Sequence, residues 1–192
     1  MPRGRLIVIV APSGTGKSTL IDRLKAEVPE LKWSVSCTTR PIREGEVDGV
    51  NYYFLDRQTF SEKIADHDFI EWAVVHSNFY GTSKEFTDTG LKNGVNMLFD
   101  LDVQGADAIK RLYPKDSAVI FIEPPSVEDL LKRLKKRGTD PQEVIDERVR
   151  NAKKELLRKN DFDYLVMNDE IDKAYAKLKS IILKEMGKSE RG

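Results

Sequence analysis

The segment 6–18 constrains the fold more than any other part of the chain. Five apolar residues, Leu-Ile-Val-Ile-Val, are followed at once by Ala-Pro-Ser-Gly-Thr-Gly-Lys-Ser, and an apolar helical pattern starts at the last of these residues. A buried strand, a glycine-containing turn and a helix that begins with Lys-Ser are typical of a phosphate-binding loop. The backbone N–H groups of such a turn can surround a polyphosphate, and the helix directs its positive N-terminus at the same anion.

The alternative interpretation of this segment is an ordinary strand-to-helix connection. If it is a phosphate-binding loop, each of its positions has a distinct predicted role in binding. The Lys17 ammonium can reach the β- and γ-phosphates of a nucleoside triphosphate, and the Ser18 hydroxyl can be a ligand of Mg²⁺. Ala11 stands where the usual pattern has glycine, so we expect a negative φ there and assign positive φ or close ligand approach to Gly14 and Gly16. The predicted triphosphate-binding residues are Ala11, Pro12, Ser13, Gly14, Thr15, Gly16, Lys17, Ser18 and Thr19.

Composition limits the other possibilities. The chain has 192 residues, the size of one domain, and its 32 basic and 32 acidic residues cancel, so the overall charge gives no argument for a nucleic-acid or membrane partner. The single cysteine, Cys37, excludes an intramolecular disulfide and a cysteine-rich zinc site, and its neighbours suggest a small filler. There is no secretory signal and no apolar run near ~20 residues, so we expect a cytoplasmic protein.

Strand-like apolar runs alternate with helical patterns outside one central region. This alternation predicts an α/β fold, in which helices flank a parallel sheet and ligands bind at the carboxyl ends of the strands. Asp100 lies at such an end, and Ser126 is placed to cap the helix that follows it. The predicted strands are 6–10, 33–37, 95–99, 118–122 and 164–167, and the predicted helices are 18–28, 103–112, one starting at 127, 141–159 and 170–186.

Residues 38–90 interrupt this alternation. They are rich in Thr, Gly, Tyr and Phe, with a hairpin-like stretch over 46–55 and a short helix near 58–65, and we interpret them as an inserted lobe with mixed strands. The lobe opens with several hydroxyl side chains beside Arg40 and Arg43. Two guanidinium groups next to hydroxyls form a suitable cradle for a phosphate monoester, although taken alone they are as compatible with a solvated surface pair.

Together with the phosphate loop, seven further strings resemble the guanylate kinase family along nearly the full chain. They lie at 36–53, 69–73 (Phe-Ile-Glu-Trp-Ala), 78–83 (Asn-Phe-Tyr-Gly-Thr-Ser), 100–105 (Asp-Leu-Asp-Val-Gln-Gly), 124–126, 137–139 and 166–169. The resemblance implies a P-loop NTPase-type parallel sheet, a nucleotide-monophosphate-binding lobe, a helical lid, and the reaction ATP + GMP = ADP + GDP with Mg²⁺. The implied regions are a core at 1–37, 91–128 and 161–192, a lobe at 38–90 and a lid at 129–160.

The resemblance also implies where GMP binds. The residues implied for its phosphate are Arg40, Arg43, Tyr52 and Tyr80, and those implied for its base are Ser36, Glu71, Gly81, Thr82 and Asp102. Guanine offers N1–H and 2-amino donors to a carboxylate, whereas adenine lacks both, so such a site can discriminate by up to ~10⁴–10⁵. Two alternatives stay open: Glu71 could be a surface charge, and Asp102 could orient Arg40 or Arg43.

The implied catalytic residues come from the phosphate loop and the lid. They are Lys17, Arg133, Arg137 and Arg148. Asp100 would hold Mg²⁺ together with Ser18, through water, and Asn168 and Asp169 lie near the expected adenine slot. For Asp100 and for Asp169 the alternative role is a helix N-cap.

Besides Ala11, the sequence departs from the family pattern at two places, and it leaves two other functions open. Ser77 stands where glycine is common and Phe79 where tyrosine is common, but Tyr80 keeps the hydroxyl that is assigned to the phosphate. One alternative is a kinase of another monophosphate, against which Glu71 and Ser36 argue; the other is a non-catalytic binding module, against which the intact loop argues. We expect ATP and GMP as partners, without nucleic acid or membrane, for a chain that is a monomer or a homodimer.

Overall fold

The computed structural model describes residues 3–75, 77–136 and 142–187. Within these ranges the strands are β1 (Leu6–Val10), β2 (Lys32–Trp33), β3 (Cys37–Thr38), β4 (Tyr53–Phe54), β5 (Phe69–Val75), β6 (Asn78–Ser83), β7 (Met97–Asp100), β8 (Ser117–Glu123) and β9 (Tyr164–Met167). The helices are α1 (Lys17–Glu27), α2 (Arg57–Ala65), α3 (Lys84–Lys92), α4 (Val103–Leu112), α5 (Val127–Lys136), α6 (Gln142–Leu157) and α7 (Ile171–Glu185), with a 3₁₀ turn at Lys159–Asp161.

Five strands form a parallel core sheet in the order β2-β7-β1-β8-β9. β1 and β8 are buried along their whole length because α1 and α7 pack on one face of the sheet and α4 packs on the other. Ile9 of β1 lies opposite Asp100 of β7, so the phosphate loop and Asp100 leave the sheet at the same edge. The predicted α/β architecture is confirmed.

A second sheet of four strands has the order β4-β3-β6-β5. It is mixed, since β3 pairs with β4 in parallel and with β6 in antiparallel orientation. Its small core contains Cys37, Phe60 and Phe69, and burial raises the pKa of the Cys37 thiol to about 11, which leaves it protonated and unreactive. The inserted mixed lobe and the filler role of Cys37 both agree with the sequence-based expectation.

The predicted strand at 33–37 is wrong. The structure divides this segment between two sheets: Trp33 of β2 pairs with Leu98 in the core sheet, whereas Cys37 of β3 pairs with Tyr53 and Gly81 in the second sheet. Residues 34–36 therefore cross from one sheet to the other. The five residues have the composition of one strand, but their first residue pairs in one sheet and their last residue pairs in the other.

The predicted hairpin at 46–55 is also wrong. The Tyr53 N–H donates to the Ser36 carbonyl at 2.9 Å and the Leu55 N–H donates to the Thr38 carbonyl at 2.9 Å, so β4 runs parallel to β3 and not back along residues 46–50. The preceding residues form turns in which Gly49 has a φ of 74°. The short helix expected near 58–65 is confirmed as α2.

Helices α5 and α6 pack on each other next to the phosphate loop. Their contact consists of the buried side chains Leu130, Leu134, Ile145 and Ala152. Ser126 caps α5 as predicted, because its Oγ accepts a hydrogen bond from the Asp129 N–H at 3.0 Å. No helix within 3–75, 77–136 and 142–187 is both long and apolar enough to span a bilayer.

Candidate nucleotide-binding site

The loop between β1 and α1 has the backbone conformation that the sequence predicts. Gly14 and Gly16 have φ values of 90° and 89°, and Ala11 is not among the residues with positive φ. The Thr15 N–H and hydroxyl both donate to the Pro12 carbonyl, at 3.2 and 2.8 Å, which closes the turn. Within the described residues no side chain caps the first turn of α1, and that turn contains no acidic residue, so its N–H groups are available to an anion.

The outer side of the loop is held by two residues from other elements. The Thr15 carbonyl accepts hydrogen bonds from Asn168 Nδ2 at 2.6 Å and from Arg133 Nη1 at 3.2 Å. Arg133 Nη2 donates to the Asn168 carbonyl at 2.9 Å, so its guanidinium group bridges two main-chain carbonyls. The structure thus places Arg133 beside the phosphate loop, where its guanidinium group is bound to the main chain.

Lys17 and Asp100 form an ion pair across the edge of the core sheet. The N-cap alternative for Asp100 is wrong, because Asp102 occupies that position and its carboxylate accepts from the Gly105 N–H at 2.8 Å. The Ser18 hydroxyl, next in sequence to Lys17, and the Asp100 carboxylate are hard oxygen donors of the kind that suits Mg²⁺. Among the residues that the structure describes, no group of three or more His, Cys, Asp or Glu side chains is arranged to hold a metal ion.

A cavity of about 220 Å³ separates the two sheets. Four of the residues singled out in the sequence, Ser36, Tyr52, Thr82 and Asp100, lie in its wall. The remaining wall residues are Trp33, Ser34, Asn51, Phe99 and Leu101. Asp100 also contacts Lys17, so one residue of the cavity wall is in contact with the phosphate loop.

The arginine cradle is organised by a glutamate that the sequence analysis did not single out. Glu46 accepts from both terminal nitrogens of Arg40, at 3.0 and 2.7 Å, and from the Arg43 N–H at 2.8 Å. The Arg40 guanidinium holds the pKa of the Glu46 carboxyl below its usual range, with the Arg43 N–H as the next contribution. Glu46, and not Asp102, therefore orients Arg40.

Two tyrosines complete the same region. The Arg40 guanidinium lies 5.5 Å from the centre of the Tyr52 ring, and the Tyr52 and Tyr80 rings meet edge to face with centroids 5.9 Å apart. Three of the four residues predicted for the monophosphate are thus in one cluster, and Arg43 follows on the adjoining exposed turn. A signal for Glu46 was present in the sequence, because it lies inside the string that carries the resemblance.

Glu71 is half-buried on β5, so the surface-charge alternative is wrong. The Thr82 hydroxyl donates to Glu71 Oε1 at 2.5 Å, and Thr82 is only 1% exposed. Burial raises the pKa of Glu71, the bond from Thr82 opposes this shift, and the charge of Asp102 adds to it. Gly81 packs against the core of the second sheet, where a Cβ would lie 3.0 Å from the Phe69 ring.

The remaining predicted residues lie around the loop or outside the described ranges. Arg148 is half-buried on α6, whereas Arg137 lies outside the described residues. On the same helix burial raises the pKa of Glu155, and the charges of Asp102 and Lys17 act on this carboxyl. Asp169 accepts from the Glu170 N–H at 2.7 Å, but Glu170 occupies the N-cap position of α7, so the capping alternative for Asp169 is wrong.

The fold and the site are those of a phosphate-loop α/β protein with a second lobe, and residues of both sheets line one cavity. The family model "Guanylate kinase" matches residues 3–185. The chain belongs to the guanylate kinase family.

Relatives with this name match over most of their length. The guanylate kinase of Carboxydothermus hydrogenoformans is 41% identical over 191 residues, with 100% of this chain and 93% of that protein covered. The guanylate kinase of Brucella melitensis biotype 1 is 46% identical over 192 residues, with 98% and 86% covered. The crystal structure of guanylate kinase from Anaplasma phagocytophilum superposes with a TM-score of 0.69 at 29% identity, over 98% of this chain and 89% of that one.

Proposed function

We propose that the protein transfers the γ-phosphoryl group of ATP to GMP and releases ADP and GDP. The observation that carries this proposal is the double position of Asp100, which lines the cavity between the sheets and also contacts Lys17 of the phosphate loop. A donor nucleotide on the loop and an acceptor in the cavity would therefore meet at Asp100. Family membership supplies the identity of the two substrates.

On the donor side, the N–H groups of residues 13–18 and the N-terminus of α1 would bind the phosphates of ATP, and Lys17 would neutralise the β- and γ-phosphates. The Ser18 hydroxyl and the Asp100 carboxylate would hold Mg²⁺, which when bound offsets negative charge on the phosphate oxygens. The positions of Thr19 and Asp169 as further ATP contacts stay predictions.

On the acceptor side, Arg40, Arg43, Tyr52 and Tyr80 would bind the phosphate of GMP. The carboxylate of Glu71 would accept from N1–H and the 2-amino group of guanine. Ser36, Gly81, Thr82 and Asp102 are the other residues proposed to surround the base. The hydrogen bond from Thr82 fixes the Glu71 carboxylate, so little side-chain freedom is lost when the base binds.

Transfer itself requires alignment and charge compensation. The attacking oxygen of GMP is a phosphate oxygen that is already anionic, so no side-chain base is required. Arg137 and Arg148 would compensate the charge that spreads over the transferring group. Arg133, which bonds to two main-chain carbonyls beside the loop, would contribute its positive charge from that place. Closure of the lobe (38–90) and the lid (129–160) over the core would exclude water and so suppress hydrolysis of ATP.

A coupled assay of ADP release, with ATP, Mg²⁺ and one acceptor at a time, tests the proposed function. We expect turnover with GMP to exceed turnover with AMP, CMP, UMP or dTMP by about 10³-fold or more in kcat/KM, since only guanine satisfies Glu71. Preference for another acceptor would retain the kinase and reject the guanine site. Binding of GMP without turnover would instead favour a binding module.

The ion pair between Glu46 and Arg40 gives a prediction about the monophosphate cradle. Glu46→Gln removes the charge that fixes Arg40, so we expect the KM for GMP to rise about five- to tenfold while the KM for ATP stays unchanged. Steady-state kinetics with each substrate varied in turn measures this. Glu44→Gln, at a neighbouring exposed position, is the matched control, and an equal change in both KM values would contradict the assignment.

A further inference from the structure

The side-chain amide of Asn168 is buried behind the phosphate loop. Asn168 is 3% exposed, and its backbone N–H donates to the Glu123 carbonyl at 2.8 Å, which fixes the residue at the end of the core sheet. Its Nδ2 atom lies 2.6 Å from the Thr15 carbonyl oxygen. Because a carbonyl can only accept, the group that faces it must be the NH₂ end of the amide.

This hydrogen bond sets the direction of one peptide group of the loop. In a trans peptide the C=O and the following N–H point in opposite directions. The Thr15 carbonyl points outwards to Asn168, so the N–H of Gly16 points towards the inner side of the loop, where a phosphate would lie. The approach is close: a Cβ at Gly16 would lie 2.7 Å from Asn168 Nδ2.

Arg133 supports the same arrangement from α5. Its two terminal nitrogens bond to the Thr15 and Asn168 carbonyls, so both oxygens are paired and the peptide is held by two donors. A carbonyl that lost its donors here would be free to turn, and the Gly16 N–H would turn with it.

We infer that Asn168 is a positioning residue of the phosphate loop and not a reader of adenine through its side chain. This inference rests on the proposed function in one respect, that the loop binds the triphosphate of the donor. Its consequence is that Asn168 contributes equally to the binding of any triphosphate, whatever base is attached. A reader of adenine would contribute to ATP alone.

Calorimetric titration of Asn168→Leu and Asn168→Ala with Mg-ATP, Mg-CTP and magnesium tripolyphosphate tests the inference. We expect both variants to lose about tenfold in affinity for all three ligands, with the affinity for GMP within twofold of the wild type. The leucine variant keeps the volume of the side chain without its donor, so we expect its loss to equal or exceed that of the alanine variant. Glu170→Gln, next to the site and exposed, is the control.

Three results would overturn the inference: a loss confined to Mg-ATP, an equal loss for GMP, or unchanged affinities in a folded variant. Nuclear magnetic resonance of the ¹⁵N-labelled wild type provides a test that does not depend on folding of the variants. The Asn168 side-chain NH₂ signals should shift with tripolyphosphate and not with adenosine. None of these measurements needs turnover, so loss of triphosphate binding in the variants would support the inference even if GMP proved not to be the acceptor.

Discussion

Lys17→Ala is expected to lower kcat by about 10³-fold or more. The reason is position: Lys17 begins α1 at the edge of the core sheet, and its ammonium group faces Asp100 at the point where the loop and the cavity meet. Phosphoryl transfer depends on neutralisation of the charge on the transferring oxygens, and the loop contributes backbone dipoles there but no other cationic side chain. Single-turnover measurements with saturating ATP and GMP would isolate the transfer step.

The same variant should bind GMP normally. The acceptor residues lie on the second sheet and its turns, and Arg40 is held by Glu46, which is independent of Lys17. The ion pair between Lys17 and Asp100 is partly exposed, so its loss should change the free energy of unfolding little. Lys132→Ala is the matched control, since Lys132 is 78% exposed on α5. Normal turnover of Lys17→Ala, or loss of GMP binding, would refute the proposed mechanism.

The central strands β1 and β8 of the core sheet could be predicted because they are longer than the strands of the lobe and are buried on both faces, whereas the two-residue edge strand β2 could not. β1 is an uninterrupted apolar run and β8 contains one at 118–122, and each is followed by a turn signal, so composition alone distinguishes them from surface segments. The phosphate loop could be predicted in detail because the glycine positions follow from local backbone geometry. The apolar runs of the strands and the glycine positions of the loop are both patterns of residues that are adjacent in the sequence.

The two-residue strands of the lobe could not be predicted in this way. A strand such as β3 or β4 is too short to show a period, and its pairing is decided by distant partners. The segment 33–37 shows the consequence, because two short strands in different sheets have the composition of one longer strand. Parallel pairing of β3 with β4 has no local signature that distinguishes it from a hairpin.

In the candidate site, too, the local features could be predicted and the long-range contacts could not. The identities of Arg40, Glu71 and Lys17 could be proposed from motifs, whereas their partners depend on the folded chain. Asn168 and Thr15 are separated by 153 positions, and nothing near either residue in the sequence indicates their hydrogen bond. The contacts of Arg133 with main-chain carbonyls are equally non-local.

Glu71→Gln is expected to reduce the preference for GMP over AMP by about 10²-fold in kcat/KM. The carboxylate is acceptor-only and matches the two donors of guanine. An amide in its place would offer an NH₂ donor group, which repels guanine N1–H and pairs with the unprotonated N1 of adenine. Competition assays with both monophosphates measure the ratio directly, and Glu62→Gln, at an exposed position on α2, is the control. Full retention of the preference would show that Glu71 does not read the base.

The stability of the same variant distinguishes a base-reading role from a structural one. Burial raises the pKa of Glu71, so the folded protein binds the Glu71 proton more tightly than the unfolded chain does. Ionisation of Glu71 therefore lowers the free energy of unfolding as pH rises from the unfolded-state pKa through the raised pKa of the folded state. Glu71→Gln removes that cost, and we expect its Tm to exceed that of the wild type at pH 7. The difference should shrink as pH falls through the raised pKa, because Glu71 is then neutral as well. If Glu71 mainly held the lobe together, selectivity and Tm would fall together; a gain in Tm with a loss of selectivity identifies a charge that is retained for binding.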